Sequence, residues 1–124
     1  MTTNKLSKNE KLNKGEFLRS NNLAWRAVFQ GNGNFVIYDE EERNAKWATG
    51  THGSGANRLC MQSDCSLVLY DGKNKPIWSS GTYINEADVD ICHVELTNDG
   101  NLVVYLGGDA IEAPLQPTSL PLYG

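Results

Sequence analysis

The feature that most constrains this chain is a nine-residue pattern that occurs three times. The copies begin at residues 30, 62 and 97 and read QGNGNFVIY, QSDCSLVLY and TNDGNLVVY, with no gap in their alignment. The centre of each copy holds turn-forming Asn, Asp, Ser or Gly residues, and the flanks hold residues that favour strands. Each copy therefore predicts a β-hairpin, and the repeat predicts pseudo-threefold symmetry.

Alternation along the second strand of each hairpin predicts one core face, because residues two apart lie on the same side of a strand. The six apolar residues on that face are Phe35, Ile37, Leu67, Leu69, Leu102 and Val104. Trp47 and Trp78 follow the first two copies and predict a third strand there, while the third copy has Ala113 at the comparable place. The predicted units span about 23–50, 56–82 and 91–113 of a single domain, 1–124.

A three-stranded sheet buries too little apolar surface to be stable alone. Three of them are therefore expected to pack their apolar faces around a common axis, with the tryptophans near the centre. The sequence thus predicts an all-β fold of three antiparallel sheets arranged as a prism. The tryptophans are interpreted as core residues rather than as ligand platforms.

Charge and motifs argue against several functional classes. The net charge is −4 and the pI is about 5.1, so no basic field exists to attract nucleic acid. The longest apolar run, 102–106, is too short to cross a bilayer, and the amino-terminal region has no apolar signal segment. No nucleophile motif or metal-ligand spacing is visible, so neither an enzyme nor a bound metal or cofactor is expected. His52 and His93 are interpreted as loop or surface residues, and the acidic run 39–42 as a solvated loop rather than a calcium site.

The three copies approximate Gln-x-Asp-x-Asn-x-Val-x-Tyr, and KWATGTH and PIWSSGT follow the first two. With these motifs the chain resembles the bulb-type mannose-specific lectins, and especially the members found in fish mucus. The resemblance extends from about Leu6 to Tyr105 and weakens over the last residues. It implies a β-prism II fold, no enzymatic activity, no metal requirement, and mannose or mannose-rich glycans bound at each motif.

The residue types of the motif suit a sugar. Hexose hydroxyls both donate and accept hydrogen bonds, so a site needs clustered amides, carboxylates and hydroxyls beside an apolar patch. The candidate carbohydrate-binding residues are Gln30, Asn32, Asn34, Val36 and Tyr38 in the first unit, Gln62, Asp64, Ser66, Val68 and Tyr70 in the second, and Thr97, Asp99, Asn101, Val103 and Tyr105 in the third.

Each copy departs once from the pattern. Asn32 replaces a carboxylate and loses charge-assisted bonding, Ser66 is shorter than Asn, and Thr97 lacks the reach of Gln. Retained hydrogen-bonding capacity ranks the third unit slightly ahead of the other two. Single shallow sites should bind a monosaccharide with a Kd of about 1 mM, so useful binding is expected to be multivalent, as in defence or agglutination.

The resemblance also implies a disulfide between Cys65 and Cys92, whereas Cys60 is expected to be a buried free thiol. A disulfide favours an extracellular or mucus location, reached by leaderless release, with a cytoplasmic location as the alternative. A homodimer is expected. Three prolines interrupt the C-terminal tail, which argues against the strand exchange of the family; they are Pro114, Pro117 and Pro121.

Two functional hypotheses remain open at this point. The first is a lectin for mannose-containing glycans, and the second is a protein-binding module on the same scaffold with degenerate sugar sites. Turn formation alone explains the Asn, Asp and Gly residues, but it does not explain the fixed offsets of Gln or Thr, Val and Tyr. Binding to mannosylated ligands separates the two hypotheses.

Overall fold

The computed structural model describes residues 3–83, 92–106 and 109–114, and within them all regular structure is β. The strands are β1 (Lys5–Ser7), β2 (Lys11–Asn13), β3 (Phe17–Arg19), β4 (Trp25–Phe29), β5 (Phe35–Asp39), β6 (Ala45–Ala48), β7 (Ala56–Met61), β8 (Leu67–Asp71), β9 (Pro76–Ser79), β10 (Cys92–Leu96), β11 (Leu102–Leu106) and β12 (Asp109–Pro114). They form three antiparallel sheets with the orders β3-β4-β5-β6, β2-β7-β8-β9 and β1-β10-β11-β12. The predicted all-β class with three sheets is confirmed. The described residues include no helix long and apolar enough to span a membrane.

Each copy of the pattern forms the central hairpin of one sheet. The hairpins are β4–β5, β7–β8 and β10–β11. The turn-closing backbone hydrogen bonds run from Gln30 N to Asn34 O, from Gln62 N to Ser66 O and from Thr97 N to Asn101 O. The fourth residue of each copy has positive φ, namely 92° at Gly33, 68° at Cys65 and 82° at Gly100. Equivalent turns thus have equivalent backbone conformations although their sequences differ.

The predicted core face points inward in all three units. The six side chains named for it are at most 2% exposed. Trp47 on β6 is buried and makes edge-to-face contact with Trp78 on β9, with 5.9 Å between ring centroids. Trp25 and Trp78 are half-buried and pack against the same core. The assignment of the tryptophans to the core is therefore confirmed.

The prediction of three strands per sheet was wrong, because residues 5–19 add a fourth strand to every sheet. β1 joins the third unit, β2 the second and β3 the first. The middle residue of each short strand points into the core: Leu6, Leu12 and Leu18 are 4%, 6% and 0% exposed. The amino-terminal segment therefore covers one edge of each unit and links all three.

This segment has its own six-residue repeat. In its two turns a glutamate side chain accepts a hydrogen bond from the backbone three residues earlier: Ser7 N lies 2.7 Å from Glu10 Oε1, and Asn13 N lies 2.6 Å from Glu16 Oε1. Asn9 in the first turn has positive φ, 70°. Alternation of apolar and polar residues cannot be recognised in strands of only three residues. The regular six-residue spacing of Leu6, Leu12 and Leu18 could nevertheless have indicated these strands.

The disulfide between Cys65 and Cys92 is confirmed and joins the turn of the second unit to the first residue of β10. Cys60 is free, as expected, but the prediction that it is buried was wrong: it is half-buried. Its side chain lies on the outer face of its sheet, where Cys60 pairs with Lys11 on one side and Val68 on the other. Pro114 ends β12, whereas Pro117 and Pro121 lie outside the described residues.

Candidate functional site

The outer face of each of the first two sheets brings the two ends of the motif together. Gln30 and Tyr38 are eight residues apart in sequence, yet Gln30 Nε2 donates a hydrogen bond to Tyr38 Oη. Gln62 Nε2 and Tyr70 Oη form the same bond in the second unit. The hairpin produces this contact because each Gln directly follows the first strand of its hairpin, and the Tyr lies on the adjacent second strand.

In the first unit the motif divides into an exposed part and a buried part. Asn32 is exposed at the turn, and its Oδ1 accepts a hydrogen bond from Asn34 N at 3.0 Å. Asn34 and Val36 are 0% exposed. Asn34 Oδ1 accepts hydrogen bonds from Thr49 Oγ1 and from the backbone N of Gly50 and Thr51, at 3.0 to 3.2 Å. The buried Asn34 side chain therefore links the turn of the first hairpin to residues 49–51, which follow β6.

The second unit repeats this division. Asp64 is half-buried and its Oδ1 accepts a hydrogen bond from Ser66 N at 3.0 Å. Ser66 and Val68 are 3% and 5% exposed, and Ser66 Oγ lies 2.9 Å from Ser79 Oγ. Ser66 thus ties the central hairpin to β9, as Asn34 ties its own hairpin to the segment after β6.

An open cleft of about 430 Å³ adjoins the second motif. Gln62 and Asp64 line the cleft together with Glu10 and Lys11 from the amino-terminal segment. The half-buried thiol of Cys60 also lines it. The second unit therefore offers amide, carboxylate and ammonium groups around a concave surface.

In the third unit the shorter Thr97 changes the arrangement. Thr97 Oγ1 accepts a hydrogen bond from Asn101 N at 3.3 Å, and no hydrogen bond between Thr97 and Tyr105 occurs in the described residues. The ring of Tyr105 instead stacks on His93, with 5.0 Å between centroids and 9° between planes. His93, interpreted from the sequence as a loop or surface residue, thus lies on the outer face of β10 against a motif tyrosine.

The turn of the third unit is engaged by a residue of the first unit. Lys46 Nζ donates to Asn101 Oδ1 at 3.3 Å and to the backbone oxygens of Asp99 and Gly100 at 3.0 and 3.2 Å. The side chain of Asp99 is exposed, and Val103 is half-buried. An acceptor of this motif thus already has a cationic partner.

The third unit also carries a charge in the centre of its outer face. Glu95 pairs with Val103 across the strands, and Glu95 Oε1 lies 3.4 Å from His93 Nε2. The pKa of Tyr105 is raised above its ordinary value of 10.0, first by burial and second by the negative charge of Glu95. The charge of Glu95 therefore acts on Tyr105 across the outer face of this unit.

Three residues that the motif analysis did not single out face the motif tyrosines. Arg26 pairs with Tyr38, Arg58 with Tyr70 and His93 with Tyr105. All three stand four residues before the first residue of their motif. Extending the alignment upstream by that distance would have revealed a basic side chain in every copy.

The arrangement suits binding rather than catalysis of a reaction. Hydrogen-bonding side chains converge on open surfaces, which is the arrangement that polyhydroxyl ligands require. Among the residues that the structure describes, no group of three or more His, Cys, Asp and Glu side chains is placed to hold a metal ion.

Comparison with known proteins identifies relatives over most of the chain, although no family model matches it. The B-type lectin plumieribetin of Scorpaena plumieri is 48% identical over 101 residues, which cover 82% of this chain and 85% of that protein. A mannose-specific lectin of Narcissus pseudonarcissus is 52% identical over 53 residues, 42% of this chain and 44% of its own length. The structure of the mannose-specific agglutinin of snowdrop (Galanthus nivalis) with methyl-α-D-mannoside has a TM-score of 0.72 at 36% identity, and the match covers 82% of this chain and 88% of that one.

These comparisons confirm the predicted β-prism II fold and the resemblance to the bulb-type lectins. Lectins bind carbohydrates without converting them, so the prediction of a non-enzymatic protein is also confirmed. The chain belongs to the bulb-type (B-type) lectin family.

Proposed function

We propose that this protein is a mannose-binding lectin that recognises mannose-containing glycans on the outer faces of its sheets. The observation that carries the proposal is the Gln–Tyr hydrogen bond, which recurs at the same place in two units beside an Asn or Asp at the turn. A relative that matches 53 residues of this chain is named a mannose-specific lectin. Family membership and the site thus support the same ligand class.

The exposure of the motif residues separates those that would contact the sugar from those that support the site. The Gln amide, the Tyr hydroxyl and the turn Asn or Asp would exchange hydrogen bonds with sugar hydroxyls, each contributing about 0.5–1.5 kcal/mol. Asn34 and Val36 are 0% exposed, so they support the site from below. Gln30 Oε1 is buried and has no hydrogen-bond partner in the described residues, so the first site contains an acceptor that a sugar hydroxyl would satisfy.

We rank the second unit as the strongest site. It keeps the Gln62–Tyr70 pair, the Asp64 carboxylate and an adjoining cleft. The third unit lacks a Gln at its first position, and Lys46 occupies an acceptor of Asn101. This order differs from the one predicted by counting hydrogen-bonding groups in the sequence, because the count ignores partners supplied by neighbouring units.

We further propose that the protein acts multivalently, as a homodimer, and outside the cell. Three units present their motifs on three different faces, so one molecule can engage several branches of a glycan. The Cys65–Cys92 disulfide is the kind of bond that persists in an oxidising compartment. Sedimentation velocity of the purified protein measures the oligomeric state.

The experiment is calorimetric titration with methyl-α-D-mannoside, together with retention on mannose-agarose. Gln62→Ala combined with Asp64→Ala should cause the largest loss of binding, and Asp99→Ala combined with Tyr105→Phe a smaller one. Asn21→Ala, at an exposed turn outside the motifs, is the matched control and should bind like the parent. A correctly folded protein that retains no mannosylated ligand would exclude the proposal and favour a protein-binding module.

A further inference from the structure

We propose that the second site extends into an anion-recognising subsite centred on Arg58, so that this unit prefers mannose residues that carry a phosphate monoester. The inference rests on the proposed mannose-binding function and names the substituent that one of its sites selects.

Arg58 is held against the sugar motif by several contacts. Its guanidinium carbon lies 4.7 Å from the ring centroid of Tyr70, the residue paired with it across the strands. Arg58 Nη2 donates to Asn74 Oδ1 at 2.7 Å, and Nη1 donates to the backbone oxygen of Asp71 at 3.5 Å. The hydroxyl of Tyr70 bonds to Gln62. The guanidinium of Arg58 and the amide of Gln62 therefore both contact Tyr70, the first at its ring and the second at its hydroxyl.

Arg58 forms no ion pair with a carboxylate among the described side chains. Within residues 3–83 and 92–105, the ion pairs shorter than 4.0 Å involve other residues. The equivalent Arg26 of the first unit differs, because its Nε lies 3.0 Å from Glu40 Oε1. Of the two arginines that face a motif tyrosine, Arg26 thus has a carboxylate partner, whereas Arg58 has none in the part of the chain that the structure describes.

The neighbouring loop strengthens this difference between the two units. Residues 72–75 after β8 include two exposed lysines, Lys73 and Lys75. The carboxylate of Asp71 accepts hydrogen bonds at Oδ1 from the backbone N of both lysines, at 2.8 and 2.9 Å. The corresponding residues of the first unit, 40–43, include three consecutive glutamates. In a chain with a net charge of −4, residues 71–75 carry two lysines and one aspartate, so this segment beside Arg58 has a local excess of positive charge.

The chemistry of the guanidinium indicates the ligand. A planar guanidinium donates paired hydrogen bonds that match the oxygens of a phosphate, and such charge-assisted bonds are stronger than neutral ones. An exposed arginine alone holds a free anion weakly, because water screens the charge. A phosphate that is attached to a sugar is different, because the motif binds the sugar and supplies most of the affinity. The contact between the phosphate and Arg58 then needs to add only a small further gain.

The test compares mannose 6-phosphate, methyl-α-D-mannoside and inorganic phosphate. Binding is followed by NMR at the Gln62 side-chain amide and the Arg58 guanidinium in ¹⁵N-labelled protein at low ionic strength. We expect mannose 6-phosphate to bind the second site about 3- to 10-fold more tightly than the neutral mannoside, and inorganic phosphate to bind more weakly than either. Added salt should reduce the preference.

Variants locate the preference. Arg58→Gln should bring the ratio of the two sugar affinities to about one, and Lys73→Gln combined with Lys75→Gln should reduce it. Arg43→Gln, on the loop of the first unit, removes the same charge from another place and should leave the ratio unchanged. If Arg58→Gln lowers the thermal midpoint strongly, the lysine double variant and the salt dependence decide the question.

Three results would overturn the inference: equal affinity for both sugars in the parent protein, a preference that persists in Arg58→Gln, or inorganic phosphate that binds as tightly as the sugar phosphate. Failure of both sugars to bind the parent protein would instead contradict the proposed lectin function. The two failures are therefore distinguishable.

Discussion

Gly100 lies directly against the indole of Trp25, at the place where the neighbouring junction has the Cys65–Cys92 disulfide. Gly100 and Cys65 are both the fourth residue of their motif copy. Trp25 and Cys92 each begin the first strand of a unit and pair with the residue after the motif tyrosine. The third unit is thus joined to the first by an aromatic contact, and the second to the third by a covalent bond.

The remaining junction follows the same geometry. A Cβ atom placed on Gly33 would lie 3.5 Å from Cβ of Ala56, which begins the first strand of the second unit. The turn of each unit therefore contacts the start of the next unit, and the turn of the third contacts the start of the first. These three junctions differ chemically: one is a close approach of Gly33 to Ala56, one is a disulfide, and one is a contact with an indole ring.

We predict that Gly100→Ala destabilises the protein by about 2–4 kcal/mol, through left-handed backbone strain and overlap with the indole. A Cβ there would lie 2.5 Å from Cδ2 of Trp25, at a φ of 82°. Gly15→Ala is the matched control, because Gly15 has a φ of 90° with no atom within 4 Å of the added Cβ, and it should cost only about 1 kcal/mol. Urea unfolding measures both. Equal costs would show that the contact with Trp25 can relax.

Removing the disulfide should destabilise the protein by about 3–4 kcal/mol, because the unfolded chain regains the freedom of the closed loop. The bonded residues are 27 apart in sequence. The variant is Cys65→Ser combined with Cys92→Ser, and Cys60→Ser is the control that removes only the free thiol. Denaturant midpoints with and without reductant provide the measurement, and the double variant should not respond to reductant. An unchanged midpoint in the double variant would contradict the prediction.

The amino-terminal strands should be essential to the core. Leu18→Ala removes a side chain that is 0% exposed and should cost about 2–4 kcal/mol. Leu23→Ala makes the same change at a side chain that is 63% exposed and should alter stability by about 0.5 kcal/mol or less. The free energies of unfolding in urea compare the two. Similar values would mean that β3 contributes little to the sheet.

Glu95→Gln should lower the pKa of Tyr105, since it removes the negative charge that helps to raise it, while burial continues to act. Absorbance at the tyrosinate wavelength follows the titration, with Tyr105→Phe to identify the signal and Glu41→Gln as a control on an exposed loop. Because the pKa of Tyr105 is higher in the folded than in the unfolded state, the free energy of unfolding keeps its full value below pH 10.0. It decreases as the pH rises through the folded-state pKa, where Tyr105 ionises. An unshifted titration in Glu95→Gln would contradict the coupling.

The hairpins and the core face were predictable because their causes are local. Turn residues and alternation operate over a few positions, and Phe35 and Ile37 are buried as the alternation requires. The strands around Leu6, Leu12 and Leu18 were missed because three residues carry no readable alternation. Their partners lie in β10, β7 and β4, and the first two of these strands are far along the chain.

The candidate site shows the same limit. The positions of Gln30 and Tyr38 in the motif predicted that the two belong to one site, and the hairpin brings them into contact. The sequence also determined that three such units exist and which of their residues can bond to a sugar. Which groups stay open to a ligand was decided only by the tertiary structure, since the segment after β6 buries Asn34 and Lys46 of the first unit reaches Asn101 of the third. Hydrogen bonds between distant parts of the chain depend on how the three sheets pack together. The spacing of residues within one motif contains no information about that packing, so these bonds could not be predicted from it.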